Sequence, residues 1–114
     1  MKRYVLLEGK NVVDTKDRPL FHIKGNTLWH NSMLQGIILN QSDNLIDLLE
    51  VGDCVELDNE WEILKVLRFN KDNEIVCMVR TSSGTEEYRF YEYRKDYIKA
   101  IWKRNGDVMR RYER

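Results

Sequence analysis

Cysteine is scarce: Cys54 and Cys77 are the two in 114 residues, and they form no Cys-x-x-Cys pair. That excludes a disulfide-built fold and predicts reduced thiols acting as small apolar fillers. Cys77 fits this within the apolar run Ile75-Val76-Cys77-Met78-Val79. With His22 and His30 the cysteines complete a Cys2His2 inventory, but no pair has ligand spacing, so no metal and no cofactor are expected. Proline occurs once, at Pro19, and no Gly/Ser-rich linker or low-complexity tract divides the chain. One domain over residues 1–114 is the expectation. Long apolar runs are missing too, with nothing near the ~18 residues of a membrane span. The start Met1-Lys2-Arg3 leads into the short run Tyr4 to Leu7 before Glu8, too little for a signal peptide. A soluble, unexported, cytoplasmic chain without a membrane role is therefore expected.

Excess charge is absent as well. Nineteen Lys and Arg face nineteen Asp and Glu, for a formal net charge of zero. That argues against a nonspecific nucleic-acid coat, a basic membrane adhesive or a disordered acidic tail. Enzyme motifs are equally missing: no P-loop, no GxGxxG after a strand, no HExxH and no GxSxG. Histidine, the commonest general base, is limited to His22 and His30, and Ser32, Ser82 and Ser83 lie in turn-like contexts. The chain reads as non-enzymatic, a protein that acts by binding.

What is present is regular, short punctuation. Gly9-Lys10-Asn11, Lys24-Gly25-Asn26, Asp58-Asn59-Glu60, Asn70 to Asn73, Ser82-Ser83-Gly84 and Arg104 to Asp107 separate runs rich in Val, Ile, Leu and aromatics. Gly and Asn tolerate the positive φ of tight turns, so the pattern predicts strand-turn-strand repetition. Asn105-Gly106 is the sharpest signal and joins strands Ile98 to Lys103 and Val108 to Tyr112. Trp61 to Phe69, Glu74 to Thr81 and Glu86 to Tyr93 read as an antiparallel meander, the middle strand covered on both faces. Arg3 to Leu7, Leu20 to Lys24, Thr27 to His30, Leu34 to Leu39 and Cys54 to Leu57 are further strands. Between Ser42 and Gly52 leucine and isoleucine recur at helical spacing, with Ser42 as cap and Asp43 in the first turn. The expected fold is mainly β: a small antiparallel, strongly bent sheet or partly closed barrel with one short helix near residues 43–50.

Net zero conceals sorting. Residues 1–42 carry about +3, and residues 88–114 carry nine basic and four acidic side chains. Residues 43–62 carry eight acidic side chains and no basic one: Asp43, Asp47, Glu50, Asp53, Glu56, Asp58, Glu60 and Glu62. The basic C-terminal part also holds seven of the twelve aromatics. Cations there neutralise phosphates and exposed rings stack on bases, which marks Arg89, Tyr91, Tyr93, Lys99, Trp102, Lys103, Arg110 and Arg111 as binding candidates. The same residue types dominate protein interfaces, and they also build an ordinary core with a solvated surface. The acidic block likewise has two readings. It imitates a phosphate row for a basic groove on another protein, or it is a solvated rim facing the basic hairpin of its own molecule.

The segment from Gln41 to Asp53, QSDNLIDLLEVGD, resembles a phrase, Ser-x-Asn-Ile-Ile-Asp-Leu-Ile-Glu-Val-Gly-Asp, in small proteins of phages and prophages of low-GC Gram-positive bacteria. In those proteins too a β-rich chain follows and ends near an isoleucine-rich strand, as Ile98 to Trp102 does here. The resemblance implies a phage accessory protein, some of which inhibit host defences, anti-CRISPR proteins among them. Three readings stand: a phage or mobile-element protein that binds and inhibits a host protein such as a defence nuclease; a β-barrel that binds RNA or single-stranded DNA through its Arg/Tyr-rich hairpin; and a nucleotide-sequestering pocket protein.

Overall fold

A computed structural model describes residues 1–58, 63–80 and 88–114. Among the described residues the strands are β1 (Tyr4–Leu7), β2 (Val12–Asp14), β3 (Phe21–Lys24), β4 (Thr27–His30), β5 (Met33–Ser42), β6 (Cys54–Leu57), β7 (Leu64–Phe69), β8 (Ile75–Arg80), β9 (Tyr88–Tyr93), β10 (Ile98–Asn105) and β11 (Val108–Glu113). They form two antiparallel sheets, ordered β2-β1-β5-β4-β3 and β11-β10-β6-β7-β8-β9. The fold is mainly β, and its sheets are open rather than closed into a barrel. The backbone divides into two compact units, Met1–Leu48 with Arg104–Arg110 and Leu49–Lys103 with Arg111–Arg114.

In the first unit the ten-residue β5 pairs along one half with β4 and along the other with β1. All four residues of β1, which lies between β2 and β5, are buried. Val5, Leu7 and Leu28 form the centre of this core, with Val13, Phe21 and Ile38 packed around it. Thr15, fully buried, satisfies its hydroxyl against the carbonyls of Lys2 and Arg3, both at 2.9 Å. Gly36 sits where the β4–β5 register slips between Leu28 and Trp29. Its φ of 151° is one that a residue with a Cβ rarely adopts, and an added Cβ would lie 3.4 Å from Leu7 Cδ1. Gly36→Ala is therefore expected to cost about 1–3 kcal/mol, read as a lower urea midpoint at an unchanged slope.

The helix expected near residues 43–50 is a single 3-10 turn, Leu45–Leu48. The polar side chains explain its brevity, since they capture the backbone locally instead of leaving it to an α-helical ladder. Ser42 Oγ accepts the Asn44 N–H at 3.1 Å, and Asn44 Oδ1 accepts the Ile46 N–H at 3.1 Å. The Ser42 hydroxyl also donates to Asp47 at 2.6 Å. Leu45, Ile46 and Leu48 are buried, so the apolar spacing reports burial correctly while overstating length.

In the second unit β7, β8 and β9 form the expected meander. Ile75, Val76 and Cys77 are buried in succession on the middle strand, which has a neighbour on each side. Residues 59–62, 81–84 and 86–87 of the expected strand ends and turns lie outside the described residues. At the C-terminal hairpin β10 runs through Asn105, so the loop is Gly106-Asp107, one residue later than the Asn-Gly signal suggests. Gly106 alone takes a positive φ there, 61°, the pattern of a turn with glycine in first position.

Candidate interaction surfaces

The register of β10 against β6 decides what the basic hairpin faces. Ile101 lies opposite Val55 and Trp102 opposite Cys54. Side chains alternate along a strand, so Trp102 and Lys103 point to opposite faces of the sheet. Lys103 is buried, its side chain wholly removed from water. Its ammonium lies 2.5 Å from Asp53 Oδ2 and 3.0 Å from Glu50 Oε1. Asp53 Oδ2 also accepts the Glu50 backbone N–H at 2.8 Å, which ties the turn before β6. Burial pushes the Asp53 carboxyl above its ordinary value, against the opposing pull of Lys103 and that N–H.

On the other face Glu56 gathers two partners. The Trp102 indole N–H donates to Glu56 Oε2 at 2.7 Å, and the Arg111 guanidinium donates to the same oxygen at 2.5 Å. Arg111, aided by Trp102, holds the Glu56 carboxyl below its ordinary value although partial burial opposes this. Three of the acidic block's carboxylates, Glu50, Asp53 and Glu56, thus match three of the hairpin's binding candidates inside one unit. The Arg3 guanidinium acts likewise on Asp14, at 3.1 Å.

Lowered carboxyl values stabilise the folded state above the unfolded value, and that contribution disappears as pH falls through the folded one. Asp14 and Glu56 therefore lose stabilisation below about pH 4. Asp53 works in the opposite sense: its raised value makes the folded state take up this proton first on acidification. Glu56→Gln is expected to flatten the acid limb of a plot of urea midpoint against pH. An acid limb unchanged from wild type would contradict the Glu56 assignment.

The remaining candidates do not form one face. Tyr91 and Tyr93 share a side of β9, their ring centroids 5.9 Å apart, and Tyr91 is exposed. Four sheet positions separate β9 from β10, roughly 19 Å at the usual strand spacing. The expected Arg/Tyr surface is therefore split between two edges of the sheet. Arg89 stands on β9, but its side chain lies outside the described residues. Lys99 is half-buried, and Arg110 is exposed on β11. Of the other acidic candidates, Asp43 accepts the Arg3 N–H at 2.9 Å, Asp47 takes the Ser42 hydroxyl and Asp58 is exposed. Glu60 and Glu62 lie outside the described residues.

Compared with family models, curated proteins and solved structures, the chain matches none.

The phrase that carries the phage resemblance is made of structural side chains. Ser42, Asn44 and Asp47 order the 3-10 turn, Gly52 takes a φ of 95°, and Asp53 receives Lys103. Among the described residues no three His, Cys, Asp or Glu side chains converge as metal ligands, and no helix is long and apolar enough to cross a membrane. Cys54 and Cys77 are free thiols, and burial raises the Cys77 thiol to about 11, which leaves it inert. His22 stacks beside Trp29 with centroids 6.2 Å apart, and His30 tilts against Phe21 at 4.6 Å. An open cleft of about 420 Å³ is lined by Asp72, Asn73, Glu74, Arg94, Lys95 and Asp96. Arg94 is held by Asp96 at 3.1 Å and Lys95 by Asn73 at 3.0 Å, so its cations are engaged and its carboxylates repel phosphate.

Sequence reasoning missed one surface. Leu34, Ile37 and Leu39 on β5 are 56%, 42% and 52% exposed. The apolar run Ile37-Ile38-Leu39 was the available signal, but such a run reads as a buried strand.

Proposed function

We propose that this chain is a non-enzymatic accessory protein of a phage or mobile element that binds and inhibits a host protein, a defence nuclease being the best fit to the resemblance of residues 41–53. One observation carries the preference for a protein partner over nucleic acid. Lys103, Arg111 and the Trp102 N–H are already engaged by Asp53, Glu50 and Glu56, so a polyanion must displace carboxylates to reach them. Exposed acidic groups such as Asp43 and Asp47 of the first unit suit a basic groove on the partner, where they would speed encounter through steering. The Tyr91–Tyr93 pair favours a second reading, because an exposed Tyr91 ring on an edge strand, beside Tyr93, offers a stacking surface for unpaired bases.

A pull-down from bacterial host lysate, with and without nuclease treatment, separates the two. Retention of a discrete protein that survives nuclease treatment, followed by loss of that protein's activity on titration with the purified chain, supports inhibition. Recovery that vanishes with nuclease treatment supports the stacking platform instead.

A further inference from the structure

The stretch Gly25–Ser42 contains no Asp, Glu, Lys or Arg, in a chain where 33% of residues are charged. It forms β4 and β5, and its solvent face is apolar. Trp29 lies opposite Leu34 and Thr27 opposite Ile37. Leu28 and Ile38 turn to the other side and pack with Val5 and Leu7. The solvent face therefore presents Trp29, Leu34, Ile37 and Leu39 in one patch. Trp29 brings no unmet polar group, since its indole N–H donates to Thr27 Oγ1 at 3.0 Å and its ring lies beside His22. An antiparallel sheet with one wet face ordinarily alternates apolar and polar side chains. At Trp29, Leu34, Ile37 and Leu39 the wet face is apolar as well, and depletion of charge is the signature of an interface core.

We infer that this face is the contact between two copies of the chain, independently of which host partner the protein binds. A two-fold contact sets one patch against itself, so any charge near the axis would meet its own like. A patch without charge escapes that penalty. A patch fitted to a different charged protein would carry complementary charge to steer it, and this one carries none. Leu34, Ile37, Leu39 and the Trp29 ring supply an apolar centre, with His22, Lys24 and Gln35 as the polar rim.

The test is the solution mass of the full chain by light scattering and sedimentation equilibrium, at about 100 μM and through a dilution series. The expected result is twice the 13.7 kDa chain mass, with reversible dissociation on dilution. Ile37→Lys and Leu39→Glu each place an unpaired charge in the contact and are expected to weaken association at least about 100-fold, with the circular dichroism spectrum kept. Lys71→Glu, exposed in the turn between β7 and β8, is expected to leave association unchanged. A wild-type chain that is monomeric at about 100 μM overturns the inference whatever it binds. So does a dimer that persists in either folded β5 variant. Loss of host-protein capture with the dimer intact would fault the proposed function alone.

Discussion

Asp53→Ala is expected to destabilise the protein by about 3–5 kcal/mol. The substitution strands the buried Lys103 ammonium, which would keep only the half-exposed Glu50 at 3.0 Å. It also orphans the Glu50 N–H that Asp53 accepts. Lys103→Met is expected to cost less. The carboxyl left behind keeps the Glu50 N–H, and burial already biases it toward its neutral form. The double replacement Asp53→Ala, Lys103→Met should recover the part of the loss that comes from the stranded ammonium, and so cost less than the sum of the two single effects. Removing both charges removes the desolvation cost along with the attraction. Urea denaturation of the four proteins reads this directly. A double variant as unstable as the two single effects together would contradict coupling between Asp53 and Lys103.

Leu28→Ala is expected to cost about 2–5 kcal/mol. Leu28 is fully buried and sits with Val5 and Leu7 at the centre of the first unit's core. Truncation leaves a cavity on the core face of the sheet among Val5, Leu7, Phe21 and Ile38, whose hydrogen-bonded strands resist closing over it. Leu20→Ala is the comparison. Leu20 is 44% exposed, just ahead of β3, so its truncation should stay within about 0.5 kcal/mol of wild type. Equal effects at the two positions would show that Leu28 does not anchor the core.

Much of the fold was legible because turn chemistry is local. The strands Thr27–His30 and Cys54–Leu57 have the expected bounds, and the β7–β9 meander follows from short connections. Val12–Asp14 escaped notice because two valines between Asn11 and Asp14 are too few to show a period. The helix near residues 43–50 was overread because Ser42 and Asn44 also suit the turns that compete with a helix. Charge sorting was visible, including an acidic rim facing the molecule's own basic hairpin as one alternative. Which carboxylate meets which cation was not, because that depends on the register of β10 against β6, residues more than forty apart in sequence. Grouping Tyr91 and Tyr93 with Trp102 and Arg111 failed for a related reason. Proximity in sequence does not give strand order, and this sheet places β9 and β11 at opposite edges.

Lys103, Arg111 and the Trp102 N–H of the hairpin are matched from within their own unit, and on that ground the chain is proposed to act on a protein. Titration of a fluorescent single-stranded oligonucleotide with the protein, at about 50 mM and then 200 mM salt, tests it most directly. No saturable binding is expected at the lower salt, and weak, salt-sensitive binding should appear in Glu56→Gln as Arg111 and Trp102 are released. Tight wild-type binding that falls steeply with salt and is lost in Arg111→Ala would contradict it.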